Sequence, residues 1–257
     1  MPVGPGVPVG PGGLRNIVRQ ELVSRQLDEQ LTSRYPVGQR LRVLDVGMGR
    51  GAQALRLARA GHTVTGLESD PGMMASARES LDAEPAGIRE RVRLVEGDGL
   101  ETGVHFLPGS FDVVLCHDVL MYVEEPEAML AGLGRMLAPG GMLSLLVRNA
   151  DALALRPGIA GDWAGALDAF DSPTYTNKLG RPVRADRLSA LTATLAGIAA
   201  PLGTWYGVCV FSDHISDDVE PLPAAELERL LAAEDRAGRT EPYRGVAALL
   251  HLCGVRG

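Results

Sequence analysis

At 257 residues, 46% of them hydrophobic, the chain is long enough for one sizeable core, and its net charge of −7 argues against a broad basic footprint for nucleic acid. No apolar run reaches the ~20 residues of a membrane helix, and the start lacks a basic segment leading into an apolar one, so a cytoplasmic protein without a membrane partner is expected. Cys116, Cys209 and Cys253 sit inside strand-like stretches without metal-ligand spacing, so buried reduced thiols and no metal are expected.

Residues 1–13 repeat Pro, Val and Gly with almost no side chain able to pack, and are expected to form a disordered tail. From Leu14 to Leu31 apolar residues recur at helical spacing, which predicts one or two leading helices. Strand and helix patterns then alternate. Strands are predicted near 42–46, 63–67, 92–95, 112–116 and 142–147, with helices near 52–60, 72–82 and 126–137. Pro139-Gly140-Gly141 punctuates the step into the fifth strand. This alternation implies βαβ units and a parallel sheet with helices on both faces. Residues 149–185, rich in Gly, Pro, Asp and Thr and carrying Trp163, Phe170 and Tyr175, break the rhythm and are expected to be a lid. Helices near 186–197 and 223–236 and strands near 204–211 and 246–253 follow.

Val43-Leu44-Asp45-Val46-Gly47-Met48-Gly49-Arg50-Gly51 reads as a strand running into a glycine-dense turn and then a helix. Such a turn needs positive φ and room for a ligand against the backbone, and the helix start aims free N–H groups at it. A nucleoside-bearing cofactor therefore binds at the carboxyl end of the first strand. Gly47-x-Gly49-x-x-Ala52 fits a dinucleotide fingerprint, with Glu68 as the downstream acid. The same residues fit Asp-x-Gly-x-Gly-x-Gly, which resembles the first motif of class I S-adenosylmethionine methyltransferases. Asp45 belongs only to the second pattern: its carboxylate suits a methionine ammonium and repels a pyrophosphate.

Glu68 ends the second strand, where one carboxylate can accept both ribose hydroxyls; alternatively the acid only serves the following turn, with Ser69 or Asp70 as a helix cap before Pro71. Met73 or Met74 suits the adenine pocket or the core equally. In Glu96-Gly97-Asp98-Gly99, Asp98 is placed to accept the adenine amino group and Gly99 to offer an N–H, while an ordinary turn explains the pattern as well. His117 closes the fourth strand, where the strand order reverses and ligands sit, and is expected at the methionine end of the cofactor.

As an ordered set over residues 40–148, these motifs resemble a class I methyltransferase. The resemblance implies a seven-stranded, mostly parallel Rossmann-like sheet with a final antiparallel strand and an inserted lid segment. It divides residues 14–257, read as a single domain, into a cofactor half (14–148), the lid (149–185) and a C-terminal half (186–257). His117 with Val119-Leu120, Leu143-Ser144-Leu145 with Asn149-Ala150, Val208-x-Val210-Phe211-x-Asp213 and Glu241-Pro242-Tyr243 are similar to the bacterial tRNA 5-carboxymethoxyuridine methyltransferases. That similarity implies S-adenosylmethionine as cofactor, a wobble-uridine carboxylate as methyl acceptor, and Arg15 on the cofactor carboxylate.

The cofactor candidates are Arg15, Asp45, Gly47, Met48, Gly49, Glu68, Ser69, Met73, Asp98, Gly99 and His117. The substrate candidates are Tyr122, Asn149, Trp163, Arg239, Tyr243 and Arg244, with Arg181 and Arg184 as further carboxylate partners. No catalytic acid or base is assigned. Methyl transfer to an ionised carboxylate needs positioning alone, which supplies about 7–11 kcal/mol. A small-molecule O- or N-methyltransferase, favoured by the acidic charge balance, is the second reading. A silent S-adenosylmethionine-binding protein is a third, and an NAD-dependent oxidoreductase lacks its Tyr-x-x-x-Lys pair.

Overall fold

The computed structural model describes residues 13–177, 180–216 and 222–257. The expected Gly/Pro tail lies outside them except for Gly13, which opens the first helix. The helices are α1 (Gly13–Arg34), α2 (Ala52–Arg59), α3 (Pro71–Asp82), α4 (Ala86–Arg89), α5 (Thr102–His105), α6 (Pro126–Met136), α7 (Leu155–Ile159), α8 (Trp163–Asp171), α9 (Leu188–Gly197) and α10 (Ala224–Ala237). The strands are β1 (Arg42–Val46), β2 (Thr63–Glu68), β3 (Val92–Glu96), β4 (Phe111–His117), β5 (Leu137–Arg148), β6 (Thr174–Thr176), β7 (Pro182–Arg184), β8 (Leu202–Val208) and β9 (Leu249–Val255).

Seven strands form the main sheet in the order β3-β2-β1-β4-β5-β9-β8, and β6 and β7 make a separate antiparallel hairpin. Pairings β1–β2, β1–β4, β2–β3 and β4–β5 are parallel. The expected class of mostly parallel sheet with helices around it is therefore the observed one. Since β2 and β4 flank β1, the order reverses at the carboxyl ends of β1 and β4, a topological switch point.

The chain divides into two compact units. One comprises residues 34–147, 188–205 and 252–257. Its core is the apolar run of β1 and β4: Val43, Leu44, Val113, Val114, Leu115 and Cys116 are fully buried, as strands covered on both faces must be. The other comprises residues 1–33, 148–187 and 206–251. There α1 buries Leu14, Val18, Leu22 and Leu27 at helical spacing, and of the one or two helices expected the chain forms one. Gln26 Oε1 lies 2.8 Å from the Nδ1 of buried His251, whose pKa burial pushes down to about 4.

Several strand boundaries differ from expectation, among them the start of β9, at Leu249 rather than near 246. Strand β5 begins at Leu137 rather than near 142, because pairing resumes around the Pro-Gly-Gly step with a register shift opposite Phe111 and Val113. Strand β8 stops at Val208, so Cys209 is not inside a strand; it takes a left-handed φ of 58°. All three cysteines are buried and outside any disulfide, and burial pushes the Cys209 thiol up to about 12. Among the described residues no helix is long and apolar enough to cross a membrane, and no group of His, Cys, Asp or Glu is placed to hold a metal.

Candidate active site

In the first unit the glycine turn has the geometry its composition demands. Gly47, Gly49 and Gly51 have φ of 65°, 57° and 80°, a region that side chains with a Cβ rarely enter. The N–H groups of Gly47 and Met48 both reach the Leu67 carbonyl, at 2.8 and 3.3 Å, which ties the turn to β2. A Cβ on Gly47 would overlap Val119 Cγ2, whereas one on Gly49 would meet nothing within 4 Å. Gly49 is thus the place where the backbone leaves open space for a ligand. The Met48 side chain is turned away from that space: it lies under Gly66 and clusters with Met74, Ala77 and Leu94. As a cofactor contact Met48 offers backbone only.

Asp45 is 4% exposed, directly beneath the turn. Burial, then the nearby Glu68 carboxylate, push its pKa up to about 7, against a stabilising hydrogen bond from the Ala54 N–H in α2. Glu68 holds the other side. Its Oε2 accepts the Gly49 N–H at 2.8 Å, and its Oε1 accepts the N–H groups of Ser69 and Asp70, both at 2.9 Å. Three of about four acceptor positions are therefore taken, and the one left is on Oε2, toward the glycine turn. Asp70 caps α3 by accepting the Met73 N–H, so Met74 is core while Met73 is 41% exposed. Asp98 is exposed and accepts the Leu100 N–H through Oδ1. Gly99 has no room for a Cβ against Met129 and Val46. His117 Nε2 lies 2.8 Å from Ser144 Oγ on the neighbouring strand, and Tyr122 stands exposed in the turn after β4.

The second unit holds most of the substrate candidates and Arg15, together with buried charged side chains that the spacing did not single out. The Arg148 guanidinium grips Asp213 with two bonds, at 3.0 and 2.9 Å, and Arg15 donates to the Asp213 carbonyl at 3.0 Å. Burial would raise the Asp213 carboxyl, but the Arg148 fork, with the charges of Arg148, Arg156 and Arg15, holds it below the usual range. Glu234 on α10 is fully buried and accepts the N–H groups of Val210, Phe211 and Ser212. Asn149 is 1% exposed; its Nδ2 donates to the carbonyls of Gly245 and Ala247, and its Oδ1 accepts the Asp151 N–H. A substrate would have to displace those bonds to use it.

Arg239 pairs with Glu29 and Asp235 and lies over the Tyr206 ring, while Arg244 pairs with Glu241 and Arg184 with Asp186. Arg181 is exposed. Trp163 and Phe170 stand at 70% and 72% exposure on α8. Glu234 did leave a signal in the sequence: it occupies the buried stripe of α10 with Leu227, Leu231 and Ala237, where an acid needs partners.

A glycine cradle at the switch point, an acid at the end of β2 and the seven-stranded order make up the fold of class I S-adenosylmethionine-dependent methyltransferases. The methyltransferase domain family model matches residues 44–145, the segment that carries the glycine cradle and the acid at the end of β2. The chain is 29% identical over 252 residues to the tRNA 5-carboxymethoxyuridine methyltransferase of Escherichia coli, covering 94% of this chain and 89% of that protein. It is 34% identical over 146 residues to a ubiquinone biosynthesis O-methyltransferase of Xanthomonas axonopodis, covering 57% of this chain and 55% of that one. Among solved structures, the magnesium protoporphyrin IX methyltransferase of Synechocystis, determined with S-adenosylhomocysteine bound, matches with a TM-score of 0.63 at 16% identity, over 95% of this chain and 86% of its own.

Proposed function

We propose that the protein transfers the methyl group of S-adenosylmethionine to an oxygen, a carboxylate on the wobble uridine of tRNA. The observation that carries this reading is the extent of the similarity to the E. coli enzyme, which runs through both units where that to the ubiquinone enzyme covers little more than half of the chain. The acidic charge balance is the feature that favours the second reading, a small-molecule methyltransferase.

The sulfonium supplies an already activated methyl group, so the chain's task is positioning. In this reading Glu68 takes a ribose hydroxyl through its remaining acceptor position, Gly49 admits the cofactor to the backbone, and Asp45 accepts the ammonium. Asp98 uses its second oxygen for the adenine amino group, while Ser69, Met73 and Gly99 border the nucleoside. His117 and Tyr122 complete the proposed cofactor and acceptor contacts of the first unit. An ionised carboxylate nucleophile needs no base, so no proton has to be moved. Three buried cysteines outside any disulfide suit a reducing cytoplasm as the protein's compartment.

The test is incubation of the purified protein with S-adenosylmethionine and tRNA bearing 5-carboxymethoxyuridine, followed by mass spectrometry of the nucleosides. A methyl ester at that nucleoside is the expected product. S-Adenosylhomocysteine that binds in calorimetry without any methylation of the tRNA would overturn the acceptor and leave the methyltransferase class standing.

A further inference from the structure

Two aromatic side chains of the second unit are held in the open. Phe211 and Tyr243 are 43% and 50% exposed, with ring centroids 6.4 Å apart and planes at 63°. Exposed rings are normally found on compliant backbone, yet here both carrying segments are clamped. Glu234 receives three consecutive N–H groups of the Phe211 loop, that of Phe211 among them at 3.1 Å. The Arg148–Asp213 fork fastens the same loop two residues further on. Asn149, the next residue after Arg148, fastens the Tyr243 turn through the carbonyls of Gly245 and Ala247, at 3.0 and 2.9 Å. The two segments are also joined directly, since the Ala248 N–H donates to the Cys209 carbonyl. Buried polar groups thus fix two rings that stay wet, an arrangement that stabilises a binding surface rather than a core.

We infer that Phe211 and Tyr243 form a stacking platform for a nucleobase of the acceptor, the base being the methylated uridine or its neighbour in the anticodon loop. This rests on the tRNA reading above and adds the recognition surface to it. Unpaired RNA bases are bound by stacking on aromatic faces, and an edge-to-face pair leaves ring faces free for them. The charge balance points the same way. A chain with a net charge of −7 draws little affinity from phosphate contacts, so base stacking has to carry a larger share.

The experiment uses the whole protein and an anticodon stem-loop RNA carrying 5-carboxymethoxyuridine. KM and kcat are measured for wild type, Phe211→Ala and Tyr243→Ala, with S-adenosylhomocysteine affinity by calorimetry as control. Each alanine variant is expected to raise KM for the RNA about fivefold to a hundredfold. The control affinity should stay within about twofold, and Phe211→Tyr and Tyr243→Phe should behave as wild type because they keep the face. The salt dependence of RNA binding should be shallow. A wild type that methylates the RNA while both alanine variants keep its KM would overturn the platform alone. A wild type that neither methylates nor binds the RNA would overturn the platform together with the tRNA reading.

Discussion

Glu68 and Glu234 are the same device used in two regions of the molecule. Each carboxylate stands where the chain leaves a strand, β2 for Glu68 and β8 for the loop that Glu234 holds, and each accepts three backbone N–H groups. They differ in where the remaining position lies. By count each keeps one of about four acceptor positions, on Oε2, but Glu234 is fully buried, whereas Glu68 is 8% exposed and its spare position is on the oxygen that holds the Gly49 N–H of the open turn. A buried carboxylate that fixes a loop becomes a ligand-binding group when one lone pair faces open space. The comparison predicts that losing Glu234 costs mainly stability and that losing Glu68 costs mainly affinity.

The largest effect should come from Glu234→Ala, which leaves three buried N–H groups without an acceptor. Such losses amount to about 3–5 kcal/mol, measured as a lowered urea midpoint with an unchanged slope. Next is Gly47→Ala, where a Cβ would meet Val119 at φ of 65°; about 2–3 kcal/mol of stability should be lost, and Val119→Ala should recover part of it. Glu68→Ala should cost about 1–2 kcal/mol in the same assay, because its N–H partners are nearer to water. Its effect on S-adenosylhomocysteine binding should be far greater, reducing it at least about a hundredfold. Equal stability losses for the two glutamates, with binding retained by Glu68→Ala, would dissolve the distinction between them.

Asp45 sharpens the same contrast through pH. Its folded pKa, near 7, lies above the unfolded value of 3.8, so the folded state holds the extra proton in that window. Its contribution to stability is present at low pH and is lost as pH rises from about 4 to about 7. Cofactor binding should run the other way. An ammonium needs the ionised form, so S-adenosylhomocysteine affinity should fall by up to tenfold, about 1.4 kcal/mol, for each pH unit below 7. Calorimetry between pH 5.5 and 8 reads this directly, and Asp45→Asn should flatten the profile. An unchanged profile in that variant would remove Asp45 from the ammonium contact.

The first unit was legible because its determinants are local. Alternation of apolar runs with Gly and Pro placed β1, β2 and β4 almost to the residue, and the glycine turn needs no distant partner to be recognised. The seven-stranded count of the sheet was legible only through resemblance. Of the clamps of the second unit only Glu234 left a trace, as an acid in an apolar helical stripe, since Arg148–Asp213 and Asn149–Gly245 join residues 65 and 96 positions apart. Nothing in the spacing of Val208-x-Val210-Phe211-x-Asp213 says that its acid faces an arginine at the end of β5. The direction of the Met48 side chain is equally non-local: Gly66 opens a slot that draws it into the core and leaves the backbone of this cofactor candidate facing the turn.

The smallest expected effect on folding belongs to Gly49→Ala, and it is the most informative about the cradle. At φ of 57° an alanine is strained by about 1 kcal/mol, yet its Cβ would meet no atom of the protein within 4 Å. The Gly49 N–H would still donate to Glu68, so the turn should keep its shape. In thermal denaturation the variant should therefore stay close to wild type, well above Gly47→Ala. Calorimetry should tell a different story, because the new methyl stands in the space assigned to the cofactor: S-adenosylhomocysteine affinity should drop at least tenfold. If Gly49→Ala bound the cofactor product as wild type does, the open side of the turn would not be where the cofactor lies, and the remaining lone pair of Glu68 would lose its ligand.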